Sequence, residues 1–128
     1  MGSNIIYNKE KLKRIISFQG LPFVGTKSPT DIDFCLEDGD RKKYMIGDFK
    51  EKGKLLTNGQ KILLERHCLA FEKLGYKTLA VLAWHETHFD TIEACECIIA
   101  THFYNGEWVK HQRHQTFYEW YCRFFNVN

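Results

Sequence analysis

The sequence predicts an α/β fold: one mixed β-sheet with helices on both of its faces. Three observations carry that expectation. Pro29 to Lys52 (PTDIDFCLEDGDRKKYMIGDFKEK) holds two alternating runs about a polar turn, the pattern of a β-hairpin. Tyr76 to Trp84 (YKTLAVLAW) is short, nearly continuous in apolar residues and bounded by Gly75 and His85-Glu86, the pattern of a strand buried on both faces. Helical apolar stripes lie before, between and after these segments.

The first helix is expected from Asn8, an N-cap residue with Tyr7 and Leu12 in the staple positions around it. Leu12, Ile15 and Ile16 form its apolar stripe, and it ends near Gln19-Gly20. Pro22 to Pro29 reads as a loop. In the hairpin, Thr30 to Leu36 places Asp31, Asp33 and Cys35 on one face and Ile32, Phe34 and Leu36 on the other. Glu37-Asp38-Gly39-Asp40 supplies turn residues. Lys43 to Phe49 returns and ends in Asp48-Phe49-Lys50, with Asp48 and Lys50 on one face.

A polar turn, Glu51 to Lys54, leads to a second helix. Thr57 and Gln60 are spaced as a capping box, and Leu64, Cys68, Phe71 and Leu74 form the buried stripe up to a stop at Gly75. The strand Tyr76 to Trp84 follows, parallel to the one before it, because a crossover helix separates them. Glu93 to Tyr104 reads as a further strand, turning at Asn105-Gly106 into Glu107-Trp108-Val109. Phe117, Trp120, Tyr121 and Phe124 recur at helical spacing and predict a C-terminal amphipathic helix. That stripe reads as core or as the contact of a homodimer.

At 128 residues the chain is expected to form one domain. Its 44% hydrophobic and 27% charged residues describe a soluble globular protein, and no run approaches the ~20 apolar residues of a membrane span. The N-terminal stretch lacks the apolar segment of a secretory signal, and five cysteines is an odd number. Both point to free thiols in a reducing, cytoplasmic setting. The net charge of +2 is small, but the cations concentrate in the first half, from Lys9, Lys11, Lys13 and Arg14 through Lys27 to Lys50, Lys52 and Lys54. A basic surround suits a polyanion.

The chemistry centres on the hairpin. Asp33 and Asp48 fall side by side, with Lys50 on the same face and Asp31 nearby. Carboxylates crowded across neighbouring strands are costly unless a cation sits between them. A hard divalent ion answers that cost, and a lysine beside it can hold or polarise a water. A rival reading joins His85, His88, His102, His111 and His114 with Cys95 and Cys97 as soft zinc ligands. The spacing departs from the common zinc modules, and Cys95, Cys97 and Ile99 share one strand face, the pattern of core packing.

This arrangement resembles the PD-(D/E)xK superfamily, the restriction-endonuclease-like nucleases. The resemblance rests on Asp33, the triplet Asp48-Phe49-Lys50, and the text PTDID…GDFKEKG…NGQ, which is similar to compact phage or bacterial members and to the RecB and lambda-exonuclease branch. It covers about Lys9 to Glu86. It implies an αβββαβ-type core; the C-terminal hairpin and helix read from the residues lie beyond it. It implies phosphodiester hydrolysis dependent on Mg²⁺ or Mn²⁺, with Asp33, Asp48 and the Phe49 main-chain carbonyl as metal ligands. Lys50 would act on the attacking water, and Gln60 matches a supporting glutamine. Asp31, Glu10 and Gln19 would stand behind these groups. The substrate implied is nucleic acid, DNA rather than RNA, tracked by Lys11, Lys13, Arg14, Lys27, Lys52 and Lys54, in a bacterial or phage-infected cell. A non-catalytic protein of the same fold, binding nucleic acid or a protein partner, is the alternative.

Overall fold

The computed structural model describes residues 32–86 and 91–127. The expected first helix, with Glu10, Lys11, Lys13, Arg14 and Gln19, lies outside the described residues, as do Lys27 and Asp31.

Five strands form one sheet in the order β1-β2-β3-β4-β5. They are β1 (Phe34–Asp38), β2 (Lys43–Glu51), β3 (Lys77–His85), β4 (Ile98–Tyr104) and β5 (Glu107–Lys110). Strand β2 is antiparallel to β1 and parallel to β3, and the remaining pairs are antiparallel. Helix α1 (Asn58–Lys73) makes the crossover, and helix α2 (Phe117–Phe125) closes the chain. This is the mixed α/β sheet expected. Among the described residues, two strands precede α1 rather than the three of an αβββαβ core.

The helices cover opposite faces because the strand residues alternate between them. Met45, Leu79, Val81, Ala83 and Ile99 are buried with Phe117, Phe124 and Phe125 of α2. Tyr44, Ile46, Ala80 and Phe103 are buried with Leu64 and Cys68 of α1. The aromatic stripe of α2 is therefore core. Phe117, Phe124 and Phe125 are buried inside the chain, and Trp120 and Tyr121 pack against them. Two cations from the hairpin close the C-terminus of α2: the Arg41 guanidinium donates to the Phe125 carbonyl at 2.6 Å and Lys43 Nζ to the Phe124 carbonyl at 2.7 Å. Positive charge at a helix C-terminus is stabilising.

Several boundaries differ from expectation. The first strand begins at Phe34, and its turn spans residues 39–42, with Lys42 in the left-handed region at φ 54°. Leu74 does not join the buried stripe of α1; it is 65% exposed. Glu93 to Glu96 is not strand, since Ala94–Glu96 form a 3-10 turn whose Cys95 is exposed while Cys97 is buried. Helix α2 carries a second capping box, Thr116 with Glu119.

Gly47 fixes how closely the two parallel strands approach. A Cβ at this position would lie 2.1 Å from the Val81 carbonyl oxygen. Only glycine fits there, next to Asp48.

Candidate active site

The candidate site lies where β1 begins and β2 ends. Strand β1 is joined to β2 in the register Phe34↔Gly47, and the Asp33 N–H still donates to the Gly47 carbonyl. One step further along that register places Asp33 beside Asp48. The two acids hold each other's strands. Asp48 Oδ1 accepts from the Asp33 N–H at 3.0 Å, and Asp33 Oδ2 accepts from the Phe49 N–H at 2.8 Å. One oxygen of each carboxylate is thus committed to a backbone amide, which sets both carboxylate planes.

Their environments differ. Asp48 is buried, 3% exposed, while Asp33 is exposed. The buried carboxylate needs a fixed donor, and the Asp33 amide provides one. By strand alternation Asp48 and Lys50 share the face of Ile46, the face that α1 covers. Lys50 pairs in register with Trp84 at the end of β3. Both carboxylates and the lysine therefore sit together at the carboxyl ends of the parallel pair β2 and β3, the place where open α/β sheets bind ligands. The Phe49 side chain turns to the other face, tilted against Phe34 and Phe117 at ring distances of 5.1 and 5.3 Å.

Gln60 has a structural task. Its Oε1 accepts from the Thr57 N–H at 3.0 Å, and the Thr57 hydroxyl accepts from the Gln60 N–H at 3.2 Å. The carboxamide oxygen is committed to the N-cap of α1, so any part in the site falls to the amide nitrogen. Lys52 and Lys54 are exposed. Lys52 pairs with Glu86 at 2.8 Å, and the Lys54 carbonyl accepts from Trp84 Nε1 at 2.7 Å. The second contact ties the loop after β2 to the end of β3.

Among the described residues the soft-ligand reading does not assemble: no three His, Cys, Asp or Glu side chains are gathered so as to hold a metal. Cys97 is buried and its thiol is pushed up to about 11, chiefly by desolvation, so it stays protonated near neutral pH. His102 Nδ1 and His111 Nε2 hydrogen-bond each other at 2.6 Å, and both rings pack on Trp120. Burial lowers both imidazoles, His102 to about 4. His88 lies outside the described residues.

A cleft of about 640 Å³ opens at the end of β3, between Trp84, Ile98 and His114. Asp33, Asp48 and Lys50 do not line it, but Lys52 and Trp84 do. Sequence reading passed over this cleft, because its residues come from distant segments. His85 also borders it, with Nδ1 buried and without a hydrogen-bond partner among the described residues.

Comparison with protein-family models, curated proteins and solved structures finds no match to this chain.

Proposed function

We propose that the protein is a metal-dependent nuclease of the restriction-endonuclease-like kind, cutting phosphodiester bonds of nucleic acid at Asp33, Asp48 and Lys50. The observation that carries this reading is that the Asp33 and Asp48 carboxylates each accept from a backbone amide of the other's strand, with Lys50 on their face at the strand ends. Two oxygen-donating carboxylates, one exposed and one buried, suit Mg²⁺ or Mn²⁺. Such ions take one or two protein carboxylates and fill the rest of their shell with water and substrate phosphate. Once bound, the ion would supply Lewis acidity to the scissile phosphate.

The chain's own groups do the remaining work. The Asp33 and Phe49 amides hold the carboxylates in place, so little reorganisation is needed when a cation arrives. Asp33, Asp48 and the Phe49 carbonyl are the proposed ligands. Lys50 brings a positive charge to the position where a water would be oriented and negative charge would develop. Lys52 and Lys54, exposed beyond the strand end, offer contacts to the phosphate backbone, and Lys11, Lys13, Arg14 and Lys27 are proposed for the same task. Asp31, Glu10 and Gln19 are proposed to support the site. Gln60 supports it through the cap of α1.

The test is cleavage of linear, circular, single-stranded and branched DNA and RNA with Mn²⁺ and then Mg²⁺. Wild type runs beside Asp48→Asn and Lys50→Ala. Metal-dependent cutting that disappears in both variants is the expected result. Absence of cutting, or cutting that survives both substitutions, overturns the proposal. Nucleic-acid binding of equal strength in wild type and Asp48→Asn, with no cutting by either, would indicate the non-catalytic alternative.

A further inference from the structure

One wall of the cleft at the end of β3 comes from the strand position next to Lys50 of the candidate site. Trp84 lines it and is the in-register neighbour of Lys50 on the adjacent parallel strand. The Trp84 indole N–H is bonded to the Lys54 carbonyl, so the ring is fixed. Ile98 and the His114 imidazole complete an apolar and aromatic interior. The volume of about 640 Å³ falls within the ~300–1,000 Å³ of small-molecule sites.

The electrostatics of the cleft are opposite to those of a phosphate site. Glu86, Glu93 and Glu96 line it, against one lysine, Lys52, which is already paired with Glu86. Carboxylates repel phosphate and accept hydrogen bonds from exocyclic amines and ring N–H groups. These acids do not gather with the histidines into a metal-holding group among the described residues. An aromatic wall, an apolar floor and an acidic rim fit a neutral, flat ring that carries N–H donors.

We infer that the cleft receives an unpaired nucleobase adjoining the scissile phosphate, so that the substrate is single-stranded or locally unpaired nucleic acid. The inference rests on the nuclease reading above. A base within a duplex cannot enter the cleft, because its face is stacked and its edge is paired. A base at a single-stranded end, flap or loop can stack on Trp84 while its phosphate lies beside Lys50. Aromatic stacking of this kind tolerates any base.

Binding is measured by fluorescence anisotropy with the metal chelated, so that cleavage plays no part. The probes are a labelled 12-nucleotide single strand, the same strand with abasic residues at its central positions, and the blunt duplex. Wild type is expected to bind the normal strand about tenfold more tightly than the abasic strand of equal charge. Trp84→Leu, checked for an unchanged fold by circular dichroism, is expected to bind the two strands equally. Equal affinity of wild type for normal and abasic strands overturns the inference without reference to any variant. So does a preference for the blunt duplex. Failure of the nuclease reading is distinguished by the cleavage panel: cutting of every substrate with no preference for unpaired bases leaves the nuclease and removes only the cleft's role.

Discussion

Two pairs of titratable side chains face each other across antiparallel strands of this sheet, and the protein treats them in opposite ways. Asp33 and Asp48 lie at the open end of β1 and β2, and backbone amides hold one oxygen of each. His102 on β4 and His111, just past β5, meet at 2.6 Å beneath Trp120. The acids keep a route to solvent through Asp33 and have a lysine beside them. The histidines are half-buried against the Trp120 ring, and this burial favours their neutral form. Amide donors prepare a site for charge, while partial burial against an aromatic ring disfavours it. Side chains that look alike as candidate ligands in a sequence are separated by what surrounds them.

The comparison breaks most visibly at the acid pair. Asp48→Asn keeps an oxygen to accept from the Asp33 N–H, so thermal stability should change little. Metal-dependent cleavage should fall by about 10²–10³-fold, and a titration of Mn²⁺ by calorimetry should show weakened binding. Loss of stability without loss of activity would reduce the pair to a structural device.

Gly47→Ala probes the backbone beneath the acids. The added Cβ would meet the Val81 carbonyl oxygen at 2.1 Å, so β2 and β3 must separate. Chemical denaturation should show a loss of about 3 kcal/mol, at the upper end for overpacking.

The histidine pair should respond to acid. The folded state keeps His102 neutral down to about 4, whereas an unfolded histidine protonates near its ordinary value of 6.5. The unfolded chain therefore binds more protons between those values, and stability falls as pH drops through that window. The pair is partly exposed, so solvent screening reduces the effect to about 1–2 kcal/mol. His102→Phe should flatten the melting temperature between pH 7 and 4.5 relative to wild type. An unchanged pH dependence would mean that the pair does not sense acid.

The smallest effect belongs to the helix caps on the two faces. Thr57→Ala removes the cap acceptor for the Gln60 N–H, and Thr116→Ala the acceptor for the Glu119 N–H. Each should cost about 1 kcal/mol in denaturant unfolding. If Gln60 reaches the site, only Thr57→Ala should also alter cleavage.

Much of this arrangement was legible in the chain. Alternation across residues 33–50 put Asp33, Asp48 and Lys50 on one face, because the strand period is fixed by the backbone. The Thr57 box, the Gly75 stop and the apolar run through Leu79–Ala83 likewise follow from local chemistry, and the structure has them where those signals stand. Local signals failed where tertiary contacts chose between options. The run from Glu93 alternates well enough for a strand. It forms a 3-10 turn instead, and Phe117 then donates its N–H to the Cys97 carbonyl, which ties α2 to the start of β4. Leu74 keeps helical spacing but is the C-cap of α1, after its last helical residue, and stays exposed.

The sequence by itself determined the secondary elements, their faces and the hairpin that pairs two carboxylates, since each depends on periodicity and capping within a few residues. Tertiary structure alone decided that the histidine pair is held toward its neutral form, and that the α2 aromatics are core. It also decided that a cleft opens where β3 ends. Burial and enclosure arise from segments far apart in the chain, and no local pattern encodes them.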